Sequence, residues 1–340
     1  MLEDDVAKIA QSCFASSPVV VLGSGASASH GLPGMGALKD FLLEKVTTDG
    51  DEEAEGWAKV TEAFAAGEHL EQALTGKALP ALLTRKIVGH TWECINNSDK
   101  VLFSRAVRAE ENFPLGRLIL ALLASSQKVL DIVTTNYDRV AEYACNSVDV
   151  IHSVGFTPGY LQRREGSYPI SFVQAGKSLR TVKIWKVHGS LDWFERSDGT
   201  ALSAPLYELP EAGLLPLIVT PGFNKYERTH DEPFRSAIQG ADRALEQSDG
   251  YLCLGFGFRD AHIEPKILER CRLKKVPVTV VARTLTDEAK TFLQQKAGPL
   301  FLGIEQSAKG SRAYFHAYPD GIDIPGVDYW SVDGFLNLVT

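Results

Sequence analysis

Five cysteines in 340 residues, Cys13, Cys94, Cys145, Cys253 and Cys271, include no C-x-x-C pair. A structural zinc ion held by paired thiolates is therefore not expected. Cys253 lies inside an apolar run and reads as a small core residue. No apolar run approaches the ~20 residues that a membrane-spanning helix needs. Positive charge is in deficit: 35 Lys and Arg stand against 43 Asp and Glu, a formal net charge of -8. That balance disfavours a general nucleic-acid binder, because phosphate neutralisation needs a basic face. The runs Arg163-Arg164 and Arg270, Arg272, Lys274, Lys275 read as solvated surface charge. The chain opens on the acidic Met1-Leu2-Glu3-Asp4-Asp5 with no apolar signal region, so the cytoplasm is the expected compartment. Internal repeats and low-complexity tracts are also missing. What remains is a globular composition, 44% hydrophobic and 23% charged, suited to one large α/β domain with an insertion.

The most informative feature present is a short apolar strand, Val19–Leu22, running into Gly23-Ser24-Gly25-Ala26-Ser27-Ala28-Ser29-His30-Gly31-Leu32-Pro33. A buried strand that ends in small residues leaves backbone N–H groups where a helix starts. Such a turn suits a pyrophosphate. The spacing departs from G-x-G-x-x-G, since the third glycine is displaced to Gly31, and a plain strand-to-helix turn is the alternative. Three later strands end in polar or glycine-rich residues. Val129–Thr134 delivers Thr135-Asn136-Tyr137-Asp138. Thr181–Val187 delivers His188-Gly189-Ser190-Leu191-Asp192-Trp193. Gly250–Leu254 delivers Gly255-Phe256-Gly257-Phe258-Arg259-Asp260. Ligands of open parallel sheets bind at that edge, so the four endings predict one composite site.

Between these blocks the pattern alternates strand and helix. Helices are predicted over Asp4–Phe14, Met35–Val46, Leu115–Ser125, Glu232–Gln247 and Asp287–Lys296, and from Tyr137 to Ala144 directly after Asn136. Ala54 to Arg108 is helical throughout and reads as an insertion beside the sheet. Leu214–Val219, ending at Thr220-Pro221-Gly222-Phe223, and Val276–Ala282 are further strands, and Arg312–His316 a last short one. Ser153–Gln162, rich in Gly, Pro and aromatics, reads as a loop over the site. The fold class expected is α/β, a Rossmann-like parallel sheet with helices on both faces and a helical insertion.

In order, the four blocks resemble the sirtuin-like (silent information regulator) superfamily, closest to bacterial sirtuin-like NAD hydrolases of antiphage defence. They match its GAGxS turn with the following G-[IL]-P, its T-x-N-x-D and H-G motifs, and its ribose loop. The resemblance implies an NAD-binding catalytic domain spanning residues 1–340, with NAD as substrate and no metal. It assigns Gly23, Ser24, Gly25, Ala26 and Ser27 to the pyrophosphate, with Pro33 and Thr135 beside the ligand. Asn136 and His188 become the catalytic pair. An amide cannot be a general base near neutral pH, so Asn136 positions a water or ribose hydroxyl. A histidine, with an ordinary pKa of about 6.5, can accept its proton. Asp138 supports the nicotinamide end or the Asn136 loop, and Gly255 and Gly257 admit the adenosine ribose and adenine.

Each residue also has a structural role open to it. Asn136 and Asp138 suit a helix cap, His188-Gly189 an ordinary strand-end turn, and Asp260 a cap for the next helix. His30 is expected to face solvent and Trp185 the core. Several positions depart from deacylating sirtuins. Gly34-Met35-Gly36 follows Pro33 where they carry D-F-R, Thr135 replaces a Gln, Gly257 replaces a Ser, and the four-cysteine zinc module is missing. Hydrolysis of NAD is therefore the expected activity. A deacylase or ADP-ribosyltransferase, and a non-catalytic NAD or ADP-ribose sensor, are the alternatives. Free NAD hydrolysis would kill the host, so restraint by a homo-oligomer, a HerA-type ATPase or an Argonaute-type partner is implied.

Overall fold

The computed structural model describes residues 2–68, 70–124, 127–164, 170–209, 213–220 and 231–340. Its centre is a nine-stranded sheet. The strands are β1 (Val19–Leu22), β2 (Val129–Thr134), β3 (Ile151–Ser153), β7 (Thr181–Lys186), β11 (Tyr251–Leu254), β12 (Val278–Val281), β13 (Phe301–Ser307), β14 (Gly310–Phe315) and β15 (Tyr318–Pro325). Their order is β15-β14-β13-β12-β11-β1-β2-β7-β3. The strands from β13 to β3 run parallel, and β14 and β15 add an antiparallel edge.

β1 is buried along its whole length because both sheet faces are covered, which is why it reads as an unbroken apolar run. Side chains alternate between faces. Val20 and Leu22 join the core beneath helices Leu2–Ala15, Pro114–Leu123 and Val140–Asn146. Val19 and Val21 join the opposite core, beneath Phe234–Gln247, Ile263–Lys274 and Asp287–Gln295. Helices Asp51–Ala65, Leu70–Leu74 and Ala81–Val107 occupy the stretch read as an insertion. With Met35–Lys45 they enclose a smaller core of their own, including Leu38, Leu42, Val60, Phe64, Leu83 and Ile87. Further along the same long helix, Trp92, Ile95 and Leu102 pack into the main core.

Three features differ from the sequence reading. The helix after Asn136 begins at Val140, so Asn136, Tyr137 and Asp138 all lie in the turn before it. A second, antiparallel sheet is present, ordered β10-β8-β9-β4 from Leu214–Ile218, Gly189–Arg196, Ala201–Ser203 and Gln162–Arg163. In β8 Leu191 and Phe194 face the main core while Trp193 faces a separate cluster with Phe156, Val219 and Phe234. Burial on both faces erases the alternation that marks a half-exposed strand. β13 and β15 were also not anticipated. A two-stranded hairpin, β5 (Val173–Gln174) with β6 (Lys177–Ser178), completes the strands described. Pro221, Gly222 and Phe223 lie outside the described residues, as does Ser125 at the end of its expected helix.

Candidate active site

The turns after β1 and β11 are built against each other. Gly23 N donates to the Leu254 carbonyl at 3.1 Å, and Gly25 N to the Gly255 carbonyl at 3.2 Å. A Cβ on Gly23 would stand 2.4 Å from the Gly255 oxygen, and one on Gly25 2.8 Å from Gly255 Cα. Gly255 has φ +58°, and a Cβ there would meet Ala26 N at 2.3 Å. Glycine is required here for backbone to touch backbone. This narrows the expectation of an amide cradle: the amides of Gly23, Gly25 and Ala26 already have carbonyl partners. Ser24, first in the short helix Ser24–Ala28, is exposed. After it, Leu32 is buried and Pro33 half-buried. In the β11 turn, Phe256 and Phe258 point into the core while Gly255 and Gly257 are half-buried between them.

Asn136 ties the β2 turn to the β1 turn. The Thr134 hydroxyl donates to the Leu22 carbonyl at 3.1 Å and accepts Asn136 N at 3.0 Å. Asn136 Nδ2 then donates to the Gly23 carbonyl at 2.9 Å and to Ser27 Oγ at 3.0 Å. The buried Ser27 hydroxyl also bonds the Asp138 carboxyl. Asp138 Oδ1 accepts Val140 N at 3.1 Å, so the capping role open to it is realised. Burial pushes the Asp138 carboxyl above its ordinary range, with Lys186 and Ser27 pulling the other way. Thr135 is half-buried between Thr134 and Asn136.

His188 occupies the matching position on the neighbouring strand, two residues past Lys186, which pairs with Thr134. Its carbonyl accepts Val219 N at 2.8 Å, and Gly189 follows with φ +93° where a Cβ would strike the Leu217 carbonyl. The largely buried ring brings Nε2 within 3.0 Å of Asp260 Oδ2. Asp260 Oδ1 accepts His262 N at 2.9 Å and Ile263 N at 3.0 Å. The cap expected of Asp260 is therefore present, and the same carboxylate faces the histidine.

Four strand ends thus converge through Ser27, Asn136, His188 and Asp260. With that geometry in view, residues 131–277 match the SIR2-like domain family. That span of the chain is SIR2-like. The matched span holds Asn136, His188 and Asp260 but not the Gly23 turn, and it supports an NAD-related activity. Three solved structures are similar to this chain. One is a Sir2 enzyme solved for its mechanism and regulation: 16% identity, covering 88% of this chain and 90% of that one, TM-score 0.44. Another is a Sir2 homologue mutant with 2′-O-acetyl ADP ribose: 16% identity, covering 80% and 82%, TM-score 0.40. The third is Sir2 with a p53 peptide and NAD+: 13% identity, covering 79% and 82%, TM-score 0.40. No curated protein matches the chain in sequence.

Some residues of the candidate site escaped the sequence reading. Lys186, 1% exposed, donates to Glu142 Oε1 at 2.8 Å and to the Asp138 carbonyl, bracing the Asn136 turn. The strand carries a second lysine, Lys183, so nothing in the sequence singled Lys186 out. His30 is buried, not solvent-facing: it meets Glu111 at 2.6 Å and stacks on Phe113. Arg105 joins Glu111 at 2.7 Å, so the long helix is coupled to the segment after the glycine turn. Burial alone would raise the Glu111 carboxyl, but His30 and Arg105 hold it below its usual range. The described contacts of Ser153–Gln162 run to the second sheet and to a cavity beside Arg139, rather than to Asn136 or His188. Among the described residues, no group of three or more His, Cys, Asp or Glu is placed to hold a metal ion, and no helix is long and apolar enough to cross a membrane.

Proposed function

We propose that this chain hydrolyses NAD+ to nicotinamide and ADP-ribose, with Asn136 and His188 as the catalytic pair. The observation that carries the reading is the gathering of Ser27, Asn136, His188 and Asp260 from four strand ends at one edge of a parallel sheet. In this reaction the ribose C1′–nitrogen bond breaks and neutral nicotinamide leaves with the electron pair. A water oxygen bonds to C1′ and gives up a proton. Asn136, held through Nδ2, orients that water or a ribose hydroxyl through Oδ1. A carboxylate at His188 Nε2 favours the tautomer protonated there, which leaves Nδ1 to accept the water's proton. Asp138 supports the Asn136 turn through Ser27. Ser24 and Ser27, with Gly23, Gly25 and Ala26, border the pyrophosphate, Pro33 and Thr135 flank it, and Gly255 and Gly257 admit the adenosine half.

The antiphage setting is part of the proposal and rests on the motif resemblance. So is restraint of a cytoplasmic enzyme by self-assembly, a HerA-type ATPase or an Argonaute-type protein. The helical stretch from about 54 to 108 offers a docking surface, and its Arg105–Glu111–His30 link leads to the glycine turn. The test incubates purified chain with NAD+ over a protein concentration series and follows nicotinamide release. It is repeated with an acyl-lysine peptide and with each class of partner. Release without peptide supports the hydrolase. Release only with peptide makes it a deacylase, and ADP-ribose binding without turnover under every condition makes it a sensor.

A further inference from the structure

Two buried cations tie the turn that carries Asn136 to the strand end that carries His188. The β2–β7 ladder runs as far as Thr134 and Lys186. Past it, the backbone bonds described between the two turns are Val187 N to the Thr134 carbonyl at 3.1 Å and Leu191 N to the Tyr137 carbonyl at 2.9 Å. Side chains then cross the same gap in both directions. Lys186, two residues before His188, donates to the carbonyl of Asp138, two residues after Asn136, and to Glu142 Oε1 at 2.8 Å. Arg139, three residues after Asn136, donates through Nε to Asp192 Oδ1, four residues after His188, at 2.6 Å. Arg139 is itself buried and is fixed from its other side by Asp99 of helix Ala81–Val107 at 2.5 Å and by the Leu206 carbonyl at 3.0 Å. Ion pairs withdrawn from water add little net stability, since desolvation offsets their attraction. What they supply is direction, because charge-assisted hydrogen bonds are short and fix donor against acceptor.

On the hydrolase reading, we propose that Lys186 and Arg139 are positioning residues that hold Asn136 and His188 at the separation turnover needs. Lys186 acts through the Asp138 carbonyl and Arg139 through Asp192. A reacting pair displaced by about 1 Å loses about a hundredfold in rate. The Gly23 and Gly255 turns, where the nucleotide would sit, make no described hydrogen bond to either cation. The clasp therefore governs the chemical step and leaves nucleotide affinity alone.

The test measures kcat and KM for nicotinamide release by the full chain, under the condition in which wild type turns over. Lys186→Met and Asp192→Ala each remove one crossing. Asp192→Ala leaves Arg139 paired with Asp99, and serves if Lys186→Met, which leaves Glu142 unpaired, does not fold. Each should lower kcat by about tenfold to hundredfold and move KM for NAD+ by less than about threefold. In an Asn136→Ala background the same substitutions should lower the residual rate by less than about threefold, because one of the groups they position is gone. With wild type active, an unchanged kcat in a folded variant, a loss carried by KM instead, or full additivity with Asn136→Ala would each overturn the proposal and leave the hydrolase reading standing. If release needs an acyl-lysine peptide, the hydrolase reading alone fails, and the same variants are compared with the peptide present. Wild type that releases no nicotinamide under any condition overturns both.

Discussion

His188 and Asp260 meet at 3.0 Å although their strands, β7 and β11, are separated in the sheet by β1 and β2. The chain spans that gap because Asp260 lies six residues past the end of β11, on a turn that folds back over the sheet edge. One carboxylate does two jobs there. Oδ1 holds the start of helix Ile263–Lys274, and Oδ2 faces the imidazole.

Asp260→Asn keeps the capping oxygen and removes the charge beside His188. NAD+ consumption should fall by about tenfold to hundredfold with the fold intact, because an asparagine still caps the helix. His188→Ala should fall further, by about two orders of magnitude or more. Wild-type turnover in a folded His188→Ala protein, checked by circular dichroism, would remove His188 from the chemistry.

Asn136 is both a proposed catalytic group and a clasp between two turns. Asn136→Ala deletes two hydrogen bonds, to Gly23 and Ser27, and should cost about 1–3 kcal/mol of stability in denaturant unfolding. It should also lower turnover by about two orders of magnitude. Ser27→Ala also breaks two bonds, from Asn136 and to Asp138, but leaves the Asn136 side chain in place. It should therefore cost comparable stability and less turnover, and an equal loss of turnover would show that Asn136 acts only as a clasp.

Gly25→Val places branched carbon against the Gly255 backbone, which has no room to retreat. The variant should lose ADP-ribose binding in calorimetry and melt at a lower temperature than wild type. Unchanged ADP-ribose affinity would move the ligand away from this turn. Gly34→Ala, where a Cβ meets nothing within 4 Å, is the matched control and should behave as wild type.

His152 lines the cavity beside Glu142, and burial holds its pKa below the ordinary 6.5, with Glu142 opposing the shift and Lys186 adding to it. The folded chain then binds fewer protons than the unfolded chain in the window below 6.5. Its contribution to stability is complete above that pH and is lost as pH falls. Melting temperatures from about pH 8 to about pH 5.5 should drop more steeply for wild type than for His152→Gln. Coincident slopes would show that His152 carries no such linkage.

Much of this architecture was legible in the chain. β1, β11 and β12 are apolar runs because they are buried along their whole length, and β1, β2, β7 and β11 lead into the polar or glycine residues at the sheet edge. The antiparallel sheet was not legible, since Trp193 and Phe194 are buried toward opposite sides and leave no two-residue period. The helix start at Val140 was missed because Asn136 bonds back to Gly23 and Ser27, and Asp138 accepts Val140 N from two residues before the helix.

The sequence by itself determined the parallel sheet and the four motif-bearing strand ends, because burial pattern and turn chemistry are local properties of the chain. Only the tertiary structure decided which of those ends touch. The pairing of His188 with Asp260, the clasp of Asn136 on Ser27 and the packing of Gly25 on Gly255 each join residues more than 70 positions apart. Such contacts depend on strand order and on how turns fold over the sheet edge, and no residue carries that information in its neighbours along the chain.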